Sequence, residues 1–348
     1  MSDHVLCEKI GHCGVLTLNR GPALNALTQD MIEAIGVALT TFAADRDVKS
    51  VVIKSASPRA FCAGADIKTM YEQGRAGDHA RQMQFFEAEY RLDRAIARFP
   101  KPYIALLDGI VMGGGAGISL HGSHRVASET LTFAMPEVGI GIFPDVGASF
   151  FLSRLPHHIG AYLGMTGARI GLSEALALGL ATAHVPSARF DAVLSRLTQG
   201  EDVDRAIAAE QAPAPAPVLT NEQSVIEDCF SHASPMAIVE ALEKIGGDFA
   251  ASTLKSLRSR SPTSVALALG QMQRGAKLDL DGALKLEFRL AQRIVRGHDY
   301  YEGVRTVLID KGATPQWNPP TLEKIDAATI DGYFAPSPGG ELEFETSK

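Results

Sequence analysis

Glu137 and Asp145, two acids in the segment MPEVGIGIFPD at Met135–Asp145, are the residues best placed to do chemistry together. On a continuous helix their separation of eight residues would leave them about 80° apart around the axis. Pro136, Gly139, Gly141 and Pro144 break any such helix. Turns can instead fold both carboxyls towards one cavity. The neighbours Phe133, Met135, Val138, Ile140, Ile142 and Phe143 are apolar. Desolvation there would raise a carboxyl pKa towards the range where proton transfer works near neutrality. The same residues also fit a plainer picture, a helix-starting Glu and a turn Asp, each following a proline and each solvated.

Upstream lies a second feature with chemical potential, Gly113-Gly114-Gly115. The apolar run Tyr103–Leu107 reads as a buried strand, the glycines allow a sharp turn, and Ala116–Leu120 can start a helix. Free N–H groups beside a helix N-terminus favour an oxygen that is gaining negative charge. One such donor contributes roughly 3 kcal/mol to a transition state. A glycine-rich turn that binds nothing is the alternative, since short glycine patterns are common. The segment SASPRAFCAGADI, Ser55–Ile67, is another loop between strand and helix and carries Gly64. Cys62 within it has no base nearby in sequence and reads as a small buried thiol. Asp66 reads first as the cap of a helix Ile67–Glu72, and Glu89, on a helix Asp78–Arg98, as an ordinary solvated acid. His4, Cys7, His12 and Cys13 match no zinc spacing, so no metal is expected.

The surrounding elements form a layered α/β pattern. Val5–Ile10 and Val15–Asn19 read as a hairpin, Thr28 as the cap of a helix ending near Ala44, and Val48–Lys54 as a buried strand. Strand, loop and helix then recur, which predicts a sheet core with helices outside. From Glu201 the composition turns Ala- and Pro-rich, so residues 201–219 are expected to link a core over 1–200 to a helical region over 220–336. Ser234-Pro235, Ser261-Pro262 and Asp279 mark helix starts in that region. Residues 337–348 are expected to form a disordered tail.

With 348 residues and 46% hydrophobic content, the chain can bury a substantial core. Its 33 basic and 40 acidic residues give a net charge of −7 and no basic run, which argues against a nucleic-acid partner. Four scattered cysteines fit a reducing cytosol rather than a disulfide framework. Neither a leader-like start nor an apolar run of about 18 residues is seen, so a soluble, cytoplasmic protein without membrane contact is expected.

Taken together, FCAGADI at Phe61–Ile67, GGGAG at Gly113–Gly117 and MPEVGIGIFPD resemble the ordered motifs of the crotonase superfamily of acyl-CoA enzymes. Within it the chain is most similar to the 3-hydroxyisobutyryl-CoA hydrolase branch. That similarity rests on SPTS at Ser261–Ser264, RGHDYYEGVR at Arg296–Arg305 and LIDKGATPQWNP at Leu308–Pro319, and it covers nearly the whole chain. The resemblance implies a crotonase-like ββα spiral core, a helical C-terminal region, and cleavage of a 3-hydroxyisobutyryl or 3-hydroxypropionyl thioester in valine catabolism. It implies an oxyanion hole from the N–H groups of Ala65 and Gly114, with Glu137 and Asp145 as catalytic acids. Glu89, Gly114, Glu137 and Asp145 would contact the substrate, and Ala63, Ala65, Asp66 and Ile67 would contact CoA. CoA is then part of the substrate, and no cofactor is implied. The first of the two glutamates used by hydratases falls at Gly117, which disfavours hydration. A hydratase or isomerase on the same fold and a non-catalytic binding subunit are the alternatives, and a homo-oligomer is compatible with the family.

Overall fold

In a computed structural model, residues 3–337 and 339–345 are described. The strands are β1 (Val5–Ile10), β2 (Cys13–Leu18), β3 (Ser50–Ser55), β4 (Ala60–Cys62), β5 (Tyr103–Leu107), β6 (Ile110–Met112), β7 (His124–Ala127), β8 (Thr132–Ala134) and β9 (Ala183–His184). Among the described residues they make a six-stranded sheet in the order β1-β2-β3-β5-β7-β9 and a three-stranded sheet in the order β4-β6-β8. Only β1 and β2 pair antiparallel in the larger sheet; the remaining neighbours are parallel. Parallel strands are covered on both faces and therefore read as unbroken apolar runs, as β5 (YIALL) does with every residue buried. Strand β1 lies at the edge and exposes Glu8, Lys9 and Ile10.

From β3 onward successive strands alternate between the two sheets. Helix α1 (Gln29–Ala44) precedes β3; β3–β4 is followed by α2 (Ile67–Arg75) and α3 (His79–Ala97), and β5–β6 by α4 (Gly114–Leu120). Each repeat gives one strand to each sheet and then a helix, which is the ββα spiral of the crotonase-like fold class.

The chain packs as two compact units. One comprises Met1–Asp66, Ala88–Phe133 and Arg169–Val218; the other comprises Ile67–Glu87, Ala134–Ala168 and Leu219–Lys348. In the first unit, Val15, Val52, Ile104, Leu106 and Val126 of the large sheet pack with Val193, Leu197, Val203, Ala206 and Ile207. The expected linker 201–219 therefore begins with a core helix, Val203–Ala208, whose N-cap Asp202 accepts the Arg205 N–H. Alanine serves a helix as well as a linker, and composition did not separate the two.

The second unit is mostly helical among its described residues. Ser234, Ser261 and Asp279 cap the helices Pro235–Ile245, Pro262–Gly275 and Leu280–Ile294, each accepting an N–H three residues on. The expected disordered tail is corrected over its described part. Leu342 is buried, Glu341 pairs with Arg289 at 2.8 Å, and Gln292 donates to the Gly340 carbonyl. Residues 338 and 346–348 of that expectation lie outside the described residues. Among the described residues no helix is long and apolar enough to cross a membrane.

Candidate active site

Within the first unit, the two glycine loops come together because their strands are neighbours. Strand β4 pairs parallel with β6, so the turns that leave both strands emerge at the same end. Gly64 adopts φ +112 and Gly113 φ +49, left-handed conformations that favour glycine. A Cβ built on Gly64 would lie 3.8 Å from the Gly114 nitrogen, which shows how near the loops approach. Leu27 makes a parallel bridge to Ala65, donating to the Gly64 carbonyl and accepting from the Asp66 N–H. Bonds to both neighbours of Ala65 turn its own N–H away from Leu27. Among the described residues no hydrogen bond uses the N–H of Ala65 or Gly114. Two unengaged donors thus lie on adjacent loops.

Asn25 holds this arrangement and was not singled out from the sequence. Fully buried with φ +56, it accepts the Arg20 N–H and donates to Ser55 Oγ and the Ala60 and Phe61 carbonyls. Asparagine tolerates the left-handed region, and its amide can bridge several backbone groups. A lone Asn inside the apolar stretch LNAL was the available signal. Cys62 is buried, donates to the Asn25 carbonyl, and has its thiol pKa pushed up to about 12 by burial, as a structural thiol would.

Glu89 on α3 is buried, not solvated as its helix position alone suggested, and a Cβ on Gly114 would run into its Oε1. Glu89 and Gly114 are thus immediate neighbours. Ala63 donates to the Leu24 carbonyl, and Ile67 opens α2. Asp66 pairs with Arg20 at 2.8 Å, an engagement beyond the helix cap expected of it.

The second unit carries the acid pair. Glu137 opens a 3-10 turn, Glu137–Ile140, after Pro136, and Gly141 ends it at φ +73. The C-terminal motifs brace this turn: Ser261 N–H donates to the Val138 carbonyl, and Ser261 Oγ donates to Asp299 at 2.5 Å. Cβ atoms on Gly141 or Gly303 would collide with the backbone of Asp299 or Ile140, so these segments touch main chain to main chain. Glu137 is 7% and Asp145 6% exposed. Glu137 Oε2 has no hydrogen-bond partner among the described residues. Burial, and then the charge of Asp145, hold the Glu137 carboxyl well above the usual range.

A third acid, missed in the sequence, adjoins this pair. Glu287 is fully buried, and its carboxyl accepts the N–H groups of Gly147 and Ser149, just beyond Asp145. Its signal was a charge on the apolar stripe Leu284, Phe288, Ala291 and Ile294 of an amphipathic helix. Among the described residues no group of three or more His, Cys, Asp or Glu is placed to hold a metal.

The sequence pattern of the Enoyl-CoA hydratase/isomerase family matches residues 13–334. A Xenopus tropicalis protein named 3-hydroxyisobutyryl-CoA hydrolase, mitochondrial, is 42% identical over 351 residues, covering 97% of this chain and 90% of the relative. The human protein of that name is 38% identical over 353 residues, covering 99% and 91%. A solved structure described as a carnitinyl-CoA dehydratase from Mycobacterium thermoresistibile superposes with a TM-score of 0.94 at 36% identity, covering 99% of this chain and 100% of that one. One described as an enoyl-CoA hydratase from Rhodobacter sphaeroides 2.4.1 gives 0.93 at 38% identity, covering 98% and 100%.

Proposed function

The chain belongs to the enoyl-CoA hydratase/isomerase family, the crotonase superfamily, and on that premise we propose that it hydrolyses 3-hydroxyisobutyryl-CoA to the free hydroxy acid and CoA. The step belongs to valine catabolism. The observation that carries the reading is Glu137, a buried carboxyl with raised pKa and one oxygen left without a hydrogen-bond partner. Such an oxygen is available to a reacting atom.

In this reading the Ala65 and Gly114 N–H groups stabilise the thioester oxygen as it becomes an oxyanion, and Glu89 accepts the hydroxyl of the acyl group. Glu137 works by one of two routes. Its carboxylate attacks the carbonyl, the C–S bond breaks, and the CoA thiolate takes a proton while water later cleaves the mixed anhydride. Alternatively it removes a proton from the water that attacks. Asp145 orients Glu137 and handles the protons in either case. In a single turnover in labelled water, label retained in Glu137 supports the anhydride route, and its absence counts against that route unless water attacks the acyl side. Ala63, Ala65, Asp66 and Ile67 are the proposed CoA contacts. No metal or redox group is needed for either route.

The decisive assay follows free-thiol release from 3-hydroxyisobutyryl-CoA by the wild type and Glu137→Gln, with acetyl-CoA as control. Release that requires both the hydroxyacyl group and Glu137 is expected; none from the folded wild type would sink the hydrolase reading. Hydration is the second reading, prompted by the descriptions of the two superposing structures. Gly117 speaks against it, because it supplies no carboxyl where hydratases use their first glutamate. Activity on crotonyl-CoA would reverse that preference. One methyl distinguishes 3-hydroxyisobutyryl from 3-hydroxypropionyl, and it contributes only about 1–3 kcal/mol of discrimination. Both acyl groups are therefore proposed substrates.

For compartment we propose the cytoplasm; the four free cysteines fit a reducing compartment. The vertebrate relatives are named mitochondrial. Cell fractionation distinguishes the two locations. A homo-oligomer is the proposed assembly, and sedimentation measures it.

A further inference from the structure

The loop that carries Asp145 has a backbone that its residues resist. Val146 lies at φ +53 and Gly147 at φ +86. A β-branched residue in the left-handed region is a genuine outlier, and such strain persists only where surrounding groups enforce it. Two side chains from the C-terminal helices do so. Glu287, on Leu280–Ile294, accepts the Gly147 N–H at Oε2 (2.7 Å) and the Ser149 N–H at Oε1 (2.8 Å). Gln271, on Pro262–Gly275, donates from Nε2 to the Pro144 carbonyl (2.7 Å) and to Ser149 Oγ (2.9 Å). Both are fully buried. The residues on either side of the Asp145–Val146 pair are thereby fixed from a second part of the chain.

An apolar residue at position 287 would continue the helix stripe without the penalty of burying a carboxyl, so the acid is poorly explained by packing alone. We propose that Glu287, together with Gln271, is a positioning residue for Asp145, locking the strained turn so that the Asp145 carboxyl keeps one orientation towards Glu137. The proposal rests on the reading of Glu137 and Asp145 as the working acids. The groups that face the Glu287 carboxyl are the Gly147 and Ser149 N–H groups, the Ser149 hydroxyl and, through space, the Asp145 charge. Burial first, and then Asp145, push its pKa up to about 8, in keeping with the closeness of the two acids.

Glu287→Gln keeps the volume but turns one acceptor into an NH2 group facing an N–H donor. Because a displacement of about 1 Å in a reacting group costs on the order of 100-fold in rate, kcat for thiol release should fall roughly 10- to 100-fold while KM stays within about twofold. Amide exchange should quicken at least about tenfold at whichever of Gly147 and Ser149 then faces the NH2 group, as its acceptor is lost. Gln271→Met removes the second brace with little change in packing and should give the same kcat-against-KM pattern. It decides the matter by itself if Glu287→Gln does not fold. A purely structural role would lower Tm and leave kcat per folded molecule unchanged, and a kcat within twofold of wild type overturns the proposal. If the wild type releases no thiol, the hydrolase reading fails separately. The exchange measurement then still decides the clamp: unchanged exchange overturns it, and faster exchange supports it.

Discussion

A carboxylate can serve as nucleophile or base only when ionised, and Glu137 is held largely protonated at low pH by burial and by Asp145. Its raised pKa therefore moves the acid limb of kcat/KM to higher pH. Thiol release should climb with pH along a limb lying above the usual Glu value of about 4.3. A limb at the ordinary value would show that some other group controls the rate. Glu137→Gln removes the proposed nucleophile or base, and kcat should drop by about 10²–10⁴ while the protein stays folded. Loss of less than tenfold would reassign the role. From its type and neighbours alone, Glu137 also read as a solvated helix starter. The structure decides for burial because the turn after Pro136 is braced by Ser261 of a distant motif.

At the scale of elements, the paired ends of β4 and β6 create the two donor loops, and a side chain at Gly114 tests how tightly they are set. Its Cβ would meet Glu89 Oε1 and stand 3.0 Å from Leu27 Cδ1. Gly114→Ala should displace the N–H donor and lower kcat by about 10²–10³, with circular dichroism confirming an intact fold. A wild-type kcat would mean that the Gly114 donor is not used. Asn25 supports the neighbouring connection by linking Arg20, Ser55, Ala60 and Phe61. Asn25→Ala leaves buried polar groups without partners and should cost about 1–3 kcal/mol in denaturant unfolding. The caps Thr28, Ser234, Ser261 and Asp279 were legible in sequence because capping is local chemistry. The helix Val203–Ala208 was not, since its apolar residues gain their partners from a sheet assembled out of distant strands.

Across the whole molecule, buried acids leave a mark on stability. The pKa of Glu287 is raised from 4.5 to about 8 in the fold. The stabilisation linked to this group is complete below its unfolded value and is lost as pH rises through the folded one. Between about pH 4.5 and 8 the wild type should lose stability relative to Glu287→Gln, so the Tm difference between them should shift in favour of the variant. Parallel Tm profiles would show that Glu287 does not titrate in that window. The sequence by itself determined the alternating strand and helix pattern, several helix starts, the two glycine turns and, through ordered motifs, the superfamily, because each depends on local periodicity, backbone preference or residue type. Tertiary structure alone decided that Asp66 pairs with Arg20, that Glu89 is buried against Gly114, and that Glu287 and Gln271 brace the Asp145 turn. Those facts depend on groups far apart in the chain, and burial and close approach arise only when the elements pack.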